Sequence, residues 1–206
     1  DGAALQELTA DGAPHPATPE PRTVGAAELA GVVRDLEQRR PRWIWHRTQD
    51  WYPALLAAGV ELERCYDLTL CGAILAHSEF TAHTAYARNA EKLIQDDELQ
   101  PPRVLQPPPP PADQGALFDA PGVSATPRHS PEDLRNEFAA QQGALGQVGG
   151  AGNDSDNRRQ RLQLLLAAES AGAMIAAEMQ HTGVPWREEL HERILADYLG
   201  PRPAQG

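Results

Sequence analysis

Between Val24 and Gln38 the apolar positions Leu29, Val32, Val33 and Leu36 recur at helical spacing, and Pro41 closes the segment, so a short amphipathic helix is predicted there. Ahead of it, Pro14, Pro16, Pro19 and Pro21 leave residues 1–23 with Leu5 and Leu8 as their only large apolar side chains. That is the pattern of a strand remnant followed by an irregular arm. Trp43-Ile44-Trp45-His46 is rich in β-formers and predicts a strand, after which Thr48 can cap a helix running through Leu55 and Leu56 to Gly59. Val60–Tyr66 predicts a second short strand, Asp67 stands where it can cap the next helix, and Leu70, Ile74 and Leu75 supply that helix's buried face. Strands alternating with helices indicate an α/β layer with some parallel pairing.

The second half of the chain reads as helices separated by breakers. A helix over Ala82–Ile94 gives way to Pro101, Pro102 and the run Pro107–Pro111, whose composition predicts an extended, solvated linker from about Gln95 to His129. Helical order is predicted to resume at Ser130, with Ser130 as N-cap, Pro131 at the first helical position and Glu132 and Asp133 favouring the helix dipole. That helix should end near Gly143, and a Gly-rich loop from Gly146 to Asn157 should follow. The strongest helical pattern runs from Arg158 to His181 and stops at Gly183; a last helix, Trp186–Leu199, stops at Gly200 and Pro201. Four segments result: an α/β part over 1–95, a proline-rich insertion over 96–129, a helical part over 130–182 and a terminal connection over 183–206.

Composition narrows the function classes. A formal charge of −11 argues against a free-standing nucleic-acid-binding module, because such modules neutralise phosphates with clustered Lys and Arg. Only weak DNA contact is expected, through the local basic groups Arg39, Arg40, Arg42 and Arg47. No export signal opens the chain and no run of about 20 apolar residues is visible, so a cytoplasmic protein without a membrane span is expected. Cys65 and Cys71, the only cysteines, lack zinc-ligand spacing and read as buried thiols. The first residue is Asp and the last residues follow a helix, which suggests a segment of something longer.

Two-metal phosphodiester chemistry needs three or four carboxylates around ions about 3.5–4 Å apart. Asp35-Leu36-Glu37 has Asp-x-Glu spacing but falls on a helix, where residues two apart diverge. Asp96-Asp97-Glu98 adjoins the proline run, and Asp154-Ser155-Asp156 lies in the Gly-rich loop, so neither reads as a rigid metal pair. The histidines have no partners at ligand spacing: His77 and His83 are six apart, and His15, His46, His129, His181 and His191 stand alone. Trp43, Trp45 and Trp51 could form a base-stacking platform, but alternation on a short apolar strand reads as core packing.

Two stretches carry a resemblance. Thr48–Leu75, TQDWYPALLAAGVELERCYDLTLCGAIL, resembles the part of family A (DNA polymerase I-like) exonuclease domains where a helix opening with an aspartate leads through Gly-Ile/Val-Glu-Leu to a Phe/Tyr-Asp-Thr-x-Leu helix. Leu164–Trp186, LLLAAESAGAMIAAEMQHTGVPW, looks like the long helix that joins exonuclease and polymerase domains. A closer likeness is to the shorter, actinobacterial-type bifunctional 3'-5' exonuclease/DNA polymerases, in which AAESAG, AAEM and a QxALF element recur; the last is Gln114-Gly115-Ala116-Leu117-Phe118 here.

The resemblance implies a reduced α/β, ribonuclease H-like exonuclease domain with C-terminal helices leading towards a polymerase thumb. It also implies that Asp50 occupies a family metal-ligand position and that Asp67 matches a second aspartate outside the metal pair. The family's third motif, a Tyr with an Asp four residues later, falls on Phe138 and Gln142. Phe138 has no hydroxyl to orient an attacking water, and neutral Gln142 is a poor Mg²⁺ ligand. The strand that carries Asp-x-Glu in active members has no counterpart in 1–11. The expectation is therefore a non-catalytic domain of a template-directed DNA polymerase, monomeric, with no cofactor of its own. Mg²⁺ and DNA would be engaged by the polymerase domain. Two alternatives stay open: an active metal-dependent proofreading nuclease built on Asp50, and an interaction module acting through Pro107–Pro111.

Overall fold

The computed structural model describes residues 2–9, 12–89, 129–149, 153–183 and 187–200. The proline-rich linker expected over 95–129 lies, apart from His129, outside the described residues, as do Trp186 and the QxALF element. Within them the chain is mixed α/β, with two small sheets and a predominance of helix.

The N-terminal segment is more ordered than its prolines suggest. Strand β1 (Gly2–Leu5) pairs antiparallel with β2 (Arg22–Gly25), and a bridge joins Leu8 to Pro14 within the intervening arm. Ala3 faces Val24 in this register and both are buried, so the pair is held by one apolar contact per strand. Val24, which helical periodicity assigned to the first helix, belongs instead to β2, and helix α1 is Ala26–Glu37. Val33 is its buried anchor, with Leu29 packed beside it.

Strand β3 (Trp43–Trp45), helix α2 (Thr48–Ala57) and strand β4 (Cys65–Asp67) form a β-α-β unit with parallel pairing, Trp43 opposite Cys65 and Trp45 opposite Asp67. The strand expected over Val60–Tyr66 is confined to its end. Val60 and Leu62 alternate as a strand would, but they reach the core from an irregular segment. Gly59, at φ 71°, ends α2 in the left-handed conformation that Gly tolerates. The Arg34 guanidinium donates to the Ala58 carbonyl at 3.1 Å, a cation placed at the negative end of α2.

Helix α3 (Leu68–His77) follows β4 directly and is capped by Asp67, as expected. The helix predicted over Ala82–Ile94 is shorter: turns occupy 79–84 and helix only 85–89, with 90–94 outside the described residues. Helix α4 (Pro131–Gly146) starts with a full capping box between Ser130 and Asp133. The Ser130 hydroxyl and N–H both donate to the Asp133 carboxylate and hold its pKa below the usual value. The helix continues past Gly143 because Ala144 and Leu145 are buried on the same face as Phe138 and Gln141.

Helix α5 (Asn153–Thr182) begins earlier than its periodicity indicated and ends, as expected, at Gly183, which has φ 77° and donates to the Met179 carbonyl. Leu162, Leu166, Ser170, Met174 and Ala177 form its buried face. One end of that face packs with Tyr66, Leu75 and Phe138, and the other with Tyr52, Leu55 and Trp45, so α5 spans both core clusters. An 18-residue stretch within Asp156–Thr182 reaches a mean hydropathy of 1.3, and this helix is long and apolar enough to cross a membrane by length and composition. It is not an uninterrupted apolar run, since Glu169 and Glu178 lie within it. Its buried face makes it the central helix of this fold. Helix α6 (Glu188–Leu199) ends at Gly200, at φ 83°.

Candidate functional site

Polar side chains gather at several places among the described residues, and two of these are candidate sites. The first is where β3 and β4 end and α2 and α3 begin. Asp67, only 2% exposed, accepts through Oδ2 from the Thr48 N–H at 2.7 Å and the Thr48 hydroxyl at 2.8 Å, and through Oδ1 from the Leu70 N–H at 3.0 Å. One carboxylate thus satisfies orphan donors at the first turns of two helices, where the helix dipoles also favour a negative charge. Thr48 was expected to be an N-cap; it is the first helical residue, Arg47 being the N-cap, and is itself capped from across the sheet by Asp67. The Asp67 N–H donates to Ser170 Oγ at 3.2 Å, tying the junction to α5. His46 at the end of β3 stacks on His129 at 4.0 Å, and its carbonyl accepts from Thr69.

Cys65 and Cys71 flank this junction as free, buried thiols. Burial pushes both thiols up to about 11, so both stay protonated and weakly nucleophilic near neutral pH. Trp45 is buried, with Trp43 and Trp51 packed against the same cluster, so the three tryptophans are core residues rather than a stacking platform. Glu37, one half of the Asp35–Glu37 pair, accepts from Trp43 Nε1 at 2.6 Å and from the Glu63 N–H at 2.8 Å, a structural use of the carboxylate.

The three positions singled out by resemblance are not brought together. Asp50 is exposed in the first turn of α2, beyond the C-terminal end of β3. Phe138 is buried, its ring edge-on to Tyr66 at 5.2 Å. Gln142 lines a cleft with Arg42 and Arg64, which precede β3 and β4, and so lies at the opposite end of the sheet from Asp50. The adjacent Gln141 is the buried member: it accepts from the Tyr66 hydroxyl and donates to the Leu68 carbonyl and to Glu137, which also accepts from Tyr86. Helical phase is the signal for this, since Phe138, Gln141, Leu145 and Val148 follow 3-4-3 spacing and Gln142 falls outside it.

A Mg²⁺ pair does not fit these residues. Only Asp50 is a carboxylate, and among the described residues no group of three or more His, Cys, Asp or Glu side chains is arranged to hold a metal ion. Of the four arginines expected to meet DNA, Arg39 is paired with Glu7 at 2.7 Å and Arg40 with Glu63 at 3.0 Å, which leaves less positive charge for phosphates than the sequence count suggests.

The second place is the cleft itself, about 360 Å³, which opens between the N-terminal ends of the parallel strands and helices α4 and α5. Arg64 and Gln163, two of its polar residues, carry no sequence motif and become recognisable only once the helices are docked. No protein family, no curated protein and no solved structure matches this chain.

Proposed function

We propose that this chain is the exonuclease-like domain of a family A DNA polymerase, a reduced ribonuclease H-like unit kept as scaffold rather than as nuclease. The observation that carries the reading is the fate of the positions matching family nuclease residues: an exposed Asp50, a core Phe138 and a Gln142 at the other end of the sheet. The strongest motif residue that remains, Asp67, spends its carboxylate on two helix termini. Two-metal hydrolysis needs three or four converging carboxylates, and of the three positions only Asp50 is a carboxylate.

A second feature supports a scaffold role. Leu164, Ile175 and Met179 are 71, 54 and 52% exposed on one side of α5, with Ala168 and Gly172 between them in helical phase. Leu190, Ile194 and Tyr198 repeat at four-residue spacing on α6 and are exposed too. Large apolar side chains aligned on outer faces mark surfaces that another body covers. In this reading that body is the polymerase domain, which supplies DNA binding and Mg²⁺ chemistry. The test is primer extension by the whole protein on a primed template with deoxynucleotides and Mg²⁺. Template-directed extension is expected; a protein that binds primer-template and extends nothing contradicts the reading.

A further inference from the structure

We infer that the cleft between the strand N-termini and helices α4 and α5 is a binding site for a small organic phosphate, a phosphate monoester carrying an apolar body of about one ring. This inference does not depend on the polymerase reading. The volume, about 360 Å³, lies within the range of about 300–1,000 Å³ usual for small-molecule sites. The polar part of the lining is rich in donor-bearing residues: Arg42, Arg64, Gln142 and Gln163. Leu145 and Leu166 belong to its apolar part. Donors beside an apolar surface fit an amphipathic anion.

The charge balance at the rim is unusual for a chain of net charge −11. Among the described residues Glu63 is the only acid in the lining and pairs with Arg40 at 3.0 Å, and neither Arg42 nor Arg64 has a carboxylate within ion-pair distance. Among the described residues, two arginines thus line the cleft without a carboxylate partner, which matches a phosphate dianion better than a single carboxylate. The rim is also held in place. Arg64 Nη2 donates to the Arg40 carbonyl at 2.8 Å, and Arg40 is the only non-glycine among the described residues with positive φ, 50°. This left-handed residue ends the last turn of α1, its N–H donating to the Glu37 carbonyl at 2.8 Å, and it aims the chain into Pro41 and the cleft rim. Arg40 thereby contacts both Glu63 and Arg64.

The experiment is a titration of the full chain with phenyl phosphate, inorganic phosphate and benzoate, followed by calorimetry and by amide chemical shifts. Phenyl phosphate should bind saturably and at least about tenfold more tightly than either fragment, because each fragment forfeits one half of the site. The largest shifts should fall on Arg42, Arg64, Gln142, Gln163 and Leu166. Arg42→Gln should weaken binding about tenfold or more, the loss of one charge-assisted interaction, with an unchanged melting temperature. Arg64→Gln serves as the second variant, read at a temperature where its melt shows it folded. The assignment is overturned by absence of saturable phenyl phosphate binding at millimolar concentration, by equal affinity for inorganic phosphate or benzoate, or by binding that survives both substitutions.

Discussion

Replacing Asp67 by Ala tests the reading of the strand-helix junction more sharply than any other change in the core. The wild-type carboxylate receives the Thr48 N–H, the Thr48 hydroxyl and the Leu70 N–H at 2.7, 2.8 and 3.0 Å. Thr48 is fully buried, so its N–H would be left without water, at a cost of about 1–3 kcal/mol. Leu70 is half-buried, and losing its cap should cost about 0.5–2 kcal/mol. The Thr48 hydroxyl can turn towards Cys65 Sγ, 3.8 Å away, and adds little. Removing a buried charge also returns part of its desolvation cost, so the net loss should be about 3 kcal/mol, well below the sum of three charged hydrogen bonds. For a chain of this size that corresponds to a fall in Tm of roughly 6–12 °C. Asp67→Asn, which keeps one acceptor oxygen, should lie between Ala and wild type. Asp50→Ala, on an exposed first turn, should cost only about 0.3–1 kcal/mol. Urea denaturation of the three variants followed by circular dichroism gives the comparison. An Asp67→Ala variant within about 0.5 kcal/mol of wild type, or no more destabilised than Asp50→Ala, would refute the two-helix capping role.

Two further outcomes follow from the packing of α3 and its neighbours. Gly72→Ala places a methyl group 2.8 Å from the Tyr86 hydroxyl and 3.1 Å from Gln141 Nε2, so the Tyr86–Glu137–Gln141 network must shift. The overpacking should cost about 1–3 kcal/mol, more than the roughly 1 kcal/mol that Ala gains over Gly in a helix, and a variant with a raised Tm would show that the network yields freely. Alkaline titration supplies the second. Burial raises the Cys65 and Cys71 thiols from 9.0 to about 11, so the unfolded chain releases protons that the folded chain retains. Stability from these groups is complete below about pH 9 and is lost as the pH rises towards 11. Tyr52, raised by burial and by its hydrogen bond to Glu178, extends the decline. Urea midpoints at pH 8 to 11 should fall, and fall less in a Cys65→Ala/Cys71→Ala variant; a midpoint independent of pH contradicts the burial of ionisable groups here.

Thr48 apart, the capping residues were the most legible part of the chain, because a cap is mostly a local chemical requirement. Asp67 before α3, Ser130-Pro131 before α4, and Gly183 and Gly200 at helix ends act where the sequence places them. Strand extents were less legible. Val60 and Leu62 alternate like a strand yet bury from a loop, and the β1–β2 pair rests on Ala3 and Val24 across an arm whose prolines conceal the pairing. The candidate site was only partly legible. Helical phase separates buried Gln141 from Gln142, but a cleft assembled from the starts of β3 and β4 and from α4 and α5 depends on docking that no local pattern encodes.

The central claim, an exonuclease-like domain that serves as scaffold, is tested most directly by single-turnover 3'-end trimming with the whole protein and Mn²⁺, comparing wild type with Asp50→Ala. With the family positions unassembled, neither protein should shorten the labelled strand, and both should melt within about 1 kcal/mol of each other in stability. Trimming by the wild type that disappears in Asp50→Ala, with the melt unchanged, would establish a working nuclease site at Asp50 and contradict the account.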